Sequence, residues 1–340
     1  VANIKDVAEL AGVSLSTASI VANGKSEERK ISKKTQEKVL KAMSALNYIP
    51  NVSAKSLRRG ESQNYIVALF WNFDYRSMMM HRFLFGVQKR ITEANVNMSI
   101  VIHPYQTGNL RKEEESFVNG EFHAAIIANA DQDDLEYLSH SSFRMPIILY
   151  NRLLQGYSSV NVDDKKIGIM AAEHIYEKGY RHPAVIHGTQ NFPGATMREA
   201  GFFQRLEEYG IEIPENRIIY AGNSIKGGFE CGKQIISKNV SEMADCYFCS
   251  SDFIALGLVN AWAEESLVPE KIGVIAVGNN DPQCSKYNSP SITVINMPIE
   301  EMAEQCCQFL IDGMYAFQEE PAVKFFHTEL FERTSTNRLK

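Results

Sequence analysis

From Tyr65 onward, short apolar runs alternate with stretches of helical length, and this alternation limits the fold more than any other feature. The runs are Tyr65 to Phe70, Met98 to Ile102, Ala124 to Ala128, Ile147 to Tyr150, Ala184 to Ile186, Tyr247 to Cys249 and Ile272 to Val277. They are short and nearly all apolar, which predicts strands buried on both faces, as in parallel sheets covered by helices. Lys165 to Lys178, Arg198 to Tyr209 and Asp252 to Glu265 have the length of the covering helices. Ligands of such sheets bind beyond the carboxyl ends of the strands, so a binding site is expected in the loops that follow the runs.

The first sixty residues read differently. They carry a net charge of +6, whereas the other 280 of the 340 carry −12. A basic head on an acidic body suits a phosphate-binding module joined to a domain that does not touch nucleic acid; a solvated basic face is the plainer alternative. The local pattern favours the first reading. Ile4 to Leu10 predicts a short helix with Ile4, Val7, Ala8 and Ala11 on one face, stopped at Gly12. Val13 plugs the core, and Ser14 caps a second helix whose Ala18 and Val21 meet the small Ala8, with Asn23-Gly24 at its end. That is helix-turn-helix spacing. A third helix starts at the cap Ser32, turns Val39, Leu40, Met43 and Leu46 inward, and stops before Asn47-Tyr48-Ile49-Pro50.

In order and spacing, Asp6-Val7-Ala8, Ala11-Gly12-Val13-Ser14, Thr17, Asn23 and Leu46-Asn47-Tyr48-Ile49-Pro50-Asn51 resemble the lactose-repressor (LacI/GalR) family of bacterial transcription regulators. The resemblance implies a second helix in the DNA major groove and a hinge helix after Pro50 that puts a leucine into the minor groove. It implies Leu15, Ser16, Ser19 and Ile20 as base readers, and Ser14, Thr17, Asn23, Ser32 and Thr35 as phosphate contacts. Asn51, Ser53, Ala54 and Lys55 would line the hinge helix, with Leu57 as the wedge. Hydroxyls and helix N-termini suit phosphate oxygens, and an apolar wedge unstacks one base step. One departure stands out: the family usually has arginine at the position of Ile20. Isoleucine cannot make a bidentate contact to guanine, so a different half-site is expected there, a thymine methyl being its natural partner; a plain core role is the alternative. The loop Lys25 to Lys30 is also longer and more charged than in many members.

The resemblance continues through Val160-Asn161-Val162-Asp163, Glu173-His174-Ile175, Gly179-Tyr180-Arg181-His182, Met197 to Phe202 and Ser251 to Gly257, and Pro290, Thr293 and Pro298 fall where the family crosses between lobes. The implied fold is an all-α helix-turn-helix DNA-binding domain (1–48), a hinge (49–61) and an α/β two-lobed periplasmic-binding-protein-like sensor (62–340). Its N-lobe is expected over about 62–160 and 292–322, its C-lobe over about 161–291 and 323–340. The arginine matching Arg198 clamps sugar hydroxyls or a carboxylate, and residues matching Asp163, Ser251 and Asn280 line the far lobe. Arg198 is expected to open a helix after a loop containing Pro193-Gly194. Relatives commonly have aspartate in place of Asn280 and an aromatic near Asn223 or Ser224, and this chain has neither. Its first-strand loop instead offers Trp71, Asp74 and Arg76, although a Trp ending a buried strand is equally a packing residue.

Other classes find little support. No G-x-G-x-x-G follows a strand, no P-loop lysine or G-x-S-x-G is present, and the eight histidines are scattered, so neither catalysis nor a cofactor or metal is expected. A transport-associated sugar-binding protein would share the sensor but would need a signal peptide and no helix-turn-helix. The composition, 44% apolar and 22% charged, is that of a globular protein without a membrane span, and the absence of a visible secretory signal points to the cytoplasm. All six cysteines read as buried thiols, with Cys246-Tyr247-Phe248-Cys249 a buried strand rather than a metal or redox motif. The expected partners are double-stranded DNA with a palindromic operator, a second copy of the chain, and a small-molecule effector, a sugar or sugar derivative. A nucleobase or a partner protein is the alternative controller. With the last predicted strand at Phe325 to Leu330 and no heptad tail, a dimer is expected rather than a tetramer.

Overall fold

A computed structural model of the chain describes residues 4–22, 26, 29–46, 64–72, 77–143, 145–189, 192–237, 243–263, 267–268, 270–278, 280–315 and 320–337. Three helices open it: α1 (Ile4–Ala11), α2 (Leu15–Ala22) and α3 (Lys33–Ala45). Gly12 has φ +64°, a conformation that costs a residue without Cβ little, and there Gly12 N donates to Glu9 O (3.1 Å) and Val13 N to Ala8 O (3.0 Å). This closes α1 and turns the chain into α2. Val7, Ala8, Ala11, Ala18, Val21, Val39 and Ala42 form the core, with Val13, Met43 and Leu46 packed against it. Leu40, expected inward, is 53% exposed. The inward stripe of α3 runs through 39, 42, 43 and 46, and a position one residue off it is rotated by about 100°.

The body contains β1 (Tyr65–Asn72), α4 (Ser77–Ala94), β2 (Met98–Tyr105), α5 (Glu114–Val118), β3 (Ala124–Ala128), α6 (Gln132–Ser139), β4 (Ile147–Tyr150), β5 (Ser158–Val162), α7 (Asp164–Glu177), β6 (Pro183–Gly188), α8 (Pro193–Glu208), β7 (Ile218–Ala221), α9 (Ile225–Ile236), β8 (Cys246–Cys249), α10 (Asp252–Ala261), β9 (Gly273–Gly278), α11 (Pro282–Tyr287), β10 (Thr293–Asn296), α12 (Ile299–Tyr315), β11 (Val323–Phe326) and β12 (Glu329–Phe331). The strands make two six-stranded sheets, ordered β11-β5-β4-β3-β1-β2 and β12-β10-β9-β8-β6-β7, parallel throughout except for β12. Each sheet defines one lobe.

Among the described residues the chain crosses between the sheets three times: after β5, between β10 and α12, and between β11 and β12. This corrects the expected lobe limits. β5 stays in the first sheet through Val162; β10, expected with the first lobe, pairs with β9 of the second; and β11, expected with the second, pairs with β5 of the first. The single strand expected from Phe325 to Leu330 is two strands, broken at His327-Thr328, where the chain changes sheets. One buried cluster joins the lobes. It runs from Val67, Leu69 and Phe83 through Ile167, Ala171 and Met302 to Phe202, Phe248 and Ile275.

Cys246 and Cys249 lie at the two ends of β8, and an odd spacing along a strand puts their side chains on opposite faces. Cys246 packs in the cluster shared by both lobes and Cys249 in the outer cluster of the second. The six cysteines are free thiols, five buried as expected, but Cys284 on α11 is exposed.

Candidate functional site

Both sheets end at one cleft, with about 920 Å³ of space partly open to solvent. Its lining follows the strand ends: Asn129 comes after β3, Tyr150 closes β4, Asn151 and Arg152 come next, His187 and Gly188 close β6, Ser250 and Ser251 follow β8, and Val277 and Gly278 close β9. Asn129 (φ +66°) and Asn151 (φ +52°) adopt the left-handed conformation that asparagine tolerates better than most residues, so the chain turns sharply at each strand end.

Of the expected effector residues, the structure brings Arg198, Ser251 and Asn280 to this cleft. Pro193-Gly194 are the first helical residues of α8 and not a preceding loop, so Arg198 sits in the second turn. Its Nε donates to Asp164 Oδ1 (2.8 Å) and its Nη2 lies 2.7 Å from the same oxygen. Asp164 Oδ2 is 3.5 Å from Asn151 Nδ2, and Asn151 Oδ1 accepts from Val162 N (3.2 Å). The arginine is thereby tied to the first crossing and to the first lobe. Close packing of α7 on α8 makes this possible. A Cβ on Gly168 would overlap the carbonyl oxygen of Arg198, and one on Gly201 that of Lys165.

Ser251 caps α10, accepting from Phe253 N (3.2 Å). Asn280 binds the buried Asp252 through its backbone N–H (to Oδ2, 2.7 Å) and its Nδ2 (to Oδ1, 2.5 Å). Burial raises the Asp252 carboxyl to about 6 even though these donors favour its ionised form.

Two expected residues are elsewhere. Asp163 is exposed and serves as the N-cap of α7, accepting from Lys166 N (3.0 Å); its neighbour Asp164 faces the arginine. Trp71 is fully buried, its ring 5.4 Å from that of Phe83 and 6.2 Å from that of Tyr150, so it packs the core behind the cleft and does not line it. Asp74 and Arg76 lie outside the described residues. Sequence reasoning missed Tyr150, Asn129, Asn223, His187 and Asp164. His187 Nδ1 contacts Glu199 Oε1, and Phe192 supplies an aromatic ring to the lining. Asn129 Nδ2 and Tyr150 Oη are buried without a hydrogen-bond partner among the described residues. The rule that ligands sit beyond strand ends pointed to Asn129 and Asn151, which directly follow two of the apolar runs.

In the helical head the same cap recurs. Ser14 Oγ accepts from Thr17 N (3.1 Å) and lies 2.8 Å from Thr17 Oγ1; Ser32 Oγ accepts from Thr35 N (3.3 Å) and lies 2.8 Å from Thr35 Oγ1. Two helix N-termini thus carry paired hydroxyls. Leu15 and Ser16 are exposed, Ser19 and Ile20 half-buried, and Ile20 is not packed in the head's core. Asn23, Asn51, Ala54, Lys55 and Leu57 lie outside the described residues.

Residues 3–51 match the family model described as bacterial regulatory proteins, lacI family, and residues 172–336 a periplasmic binding protein-like domain. A LacI family transcription regulator from Clostridium acetobutylicum is 36% identical, with a TM-score of 0.75 over 79% of this chain and all of that one. The HTH-type transcriptional repressor PurR of Haemophilus influenzae is 26% identical over 92% of this chain and 90% of its own length. The regulator CelR in complex with cellobiose, 22% identical with a TM-score of 0.68, covers 98% of this chain and 100% of its own and shares the fold. The chain belongs to the LacI family of bacterial transcription regulators. It joins a helix-turn-helix DNA-binding domain to a two-lobed effector domain, and its relatives are transcriptional repressors and not enzymes.

Proposed function

We propose that this regulator represses sugar-utilisation genes as a cytoplasmic homodimer on a palindromic operator, and that a sugar or sugar derivative in the cleft sets its affinity for DNA. The observation that carries the effector class is the lining around Arg198. Asn129, Asn151 and Arg152 of the first lobe face Asn223, Ser250 and Asn280 of the second, with the rings of Tyr150 and Phe192 beside them. Neutral amides and hydroxyls set beside the guanidinium groups of Arg152 and Arg198 match a molecule with many hydroxyls, each both donor and acceptor. CelR, of the same fold, is seen with cellobiose. A ligand touching both lobes favours their closed arrangement, a differential affinity that transmits to the DNA-binding heads.

The DNA contacts proposed are Leu15, Ser16, Ser19 and Ile20 to bases and Ser14, Thr17, Asn23, Ser32 and Thr35 to phosphates, with Leu57 as the wedge of a hinge lined by Asn51, Ala54 and Lys55. Exposed paired hydroxyls at two helix N-termini support the phosphate role. Removing residues 1–60 should abolish operator retardation in gels, and Leu57→Ala should reduce DNA bending while sparing low-salt non-specific binding.

The test of the effector is a thermal-shift panel of sugars (cellobiose and ribose among them), sugar phosphates and purines, followed by operator retardation with each hit. A sugar that raises the melting temperature and changes operator affinity supports the proposal. A response to purines alone overturns the sugar assignment. Arg198→Ala should keep operator affinity and lose effector sensitivity by roughly 10 to 100-fold.

A further inference from the structure

Asp252 opens α10 fully buried, and donors from three directions converge on it. Beyond the two bonds from Asn280, Ser285 Oγ of α11 lies 3.4 Å from Oδ2, and the backbone of Asp281 also donates. Gly278 at the end of β9 has φ +130°, and a Cβ there would lie 3.0 Å from both Asn280 Nδ2 and Asp252 Oδ1, so a bare backbone makes room for the pair. An ionised carboxylate only accepts hydrogen bonds. The Asn280 amide therefore cannot be reversed without setting its carbonyl oxygen against a negative oxygen. Asn280 also lines the cleft; one N–H of its Nδ2 is committed to Asp252, and its Oδ1, held on the side away from that carboxylate, is the acceptor it offers a ligand.

We infer that Asp252 is a positioning residue that fixes the Asn280 amide with its carbonyl oxygen toward the cleft, so that this end of the site takes a hydrogen-bond donor, a hydroxyl or N–H, and disfavours an anionic oxygen. The inference rests on the cleft being the effector site. A carboxylate or phosphate placed there would meet a carbonyl dipole backed by a buried negative charge, whereas acceptor oxygens of the ligand are served by Arg198 on α8. The Asn280 carbonyl thus reads the ligand with the opposite polarity to Arg198, whose guanidinium only donates.

The charged and titratable groups facing Asp252 are Arg333 from the C-terminal segment, which attracts its charge, and Cys284 from α11, while Asp281 offers its backbone N–H. Once protonated, Asp252 donates as well as accepts, so the reversed amide is no longer excluded. The orientation therefore loosens on acidification, with a midpoint near 6.

The test is a nitrogen-15 NMR titration of the full chain without ligand, from about pH 5 to about pH 8. The Asn280 side-chain pair, identified by its loss in Asn280→Ala, should have one proton slow to exchange at neutral pH and lose that protection with a midpoint near 6, and Asp252→Asn should show no such transition. A pair that exchanges as freely as a surface amide at neutral pH, or that titrates alike in Asp252→Asn, overturns the inference. If Asp252→Asn does not fold, Ser285→Ala replaces it: losing a donor to the same carboxylate must raise the midpoint, and an unmoved midpoint overturns the inference. No readout here uses an effector, so a failed sugar panel would sink the proposed effector class and leave this test standing.

Discussion

Arg198 and Asp164 meet through one oxygen, with Nε and Nη2 at 2.8 and 2.7 Å from Oδ1, which leaves Oδ2 facing Asn151 of the other lobe. The carboxylate that orients the guanidinium stands at the first crossing of the chain, so the arginine's aim is coupled to the relative position of the lobes. Asp164→Ala should cost about 1 to 3 kcal/mol in urea unfolding, since it strands a largely buried guanidinium. It should also weaken binding of the panel sugar about tenfold by calorimetry while operator affinity holds. Unchanged stability would mean that the pair is incidental.

The α7–α8 crossing sets where Arg198 stands. Because a Cβ on Gly168 would strike the Arg198 carbonyl, Gly168→Ala must push the helices apart. A loss of about 1 to 3 kcal/mol is expected, together with a weakened response to whichever ligand the panel identifies. Gly179→Ala, whose Cβ meets nothing within 4 Å but whose φ is +83°, serves as the contrast: it should destabilise through backbone strain and leave the response intact.

Two buried groups give stability opposing pH dependences. Burial lowers His174, whose Nε2 is 2.9 Å from Thr336 Oγ1, to about 4 from 6.5, so its contribution is complete above pH 6.5 and is lost as pH falls toward 4. Asp252 is raised by burial to about 6 from 3.8, so its ionised form is costly above pH 6 and that cost is relieved as pH falls toward 3.8. Between pH 6 and 4 the two trends partly cancel. Urea midpoints at about pH 7 and about pH 5 should show His174→Gln gaining on the wild type as pH falls, by roughly 1 to 3 kcal/mol, and Asp252→Asn losing ground. Parallel curves for all three proteins would refute both assignments.

Cys284 is the exposed thiol among six, and its Sγ lies 3.2 Å from Asp281 Oδ2. The hydrogen bond to that carboxylate raises the thiol above its usual value. A thiol reagent should label one site on the native protein well before the others, yet more slowly than a free cysteine, and Asp281→Asn should speed it. Early labelling that survives Cys284→Ser would contradict the burial of the other five.

Much of the fold was legible because buried parallel strands are dense apolar runs: β1, β3, β4, β8 and β9 lie within a few residues of where the sequence put them. β7, with Tyr220 exposed at an edge, and β5, which holds the buried polar pair Ser159 and Asn161, lack that density and escaped notice. The site was half legible. Arg198, Ser251 and Asn280 came from the family pattern. The choice between Asp163 and Asp164 could not, because adjacent residues at a helix start differ in role only through the direction each side chain takes. Trp71 went astray for a related reason: a strand terminus looks toward the cleft or the core according to the parity of its position.

The three crossings between the sheets bear on how the sensor can move. A lobe on a single tether can swing, slide and spin, whereas three short tethers side by side suppress the last two and leave a swing about the line they share. Any ligand in the cleft then works against one soft coordinate, and residues far from that line, such as Asn223 after the edge strand β7, travel furthest for a given rotation. Contacts made there have the greatest leverage on closure, while Asp164 and Met297, beside the axis, hold the geometry about which the lobes turn.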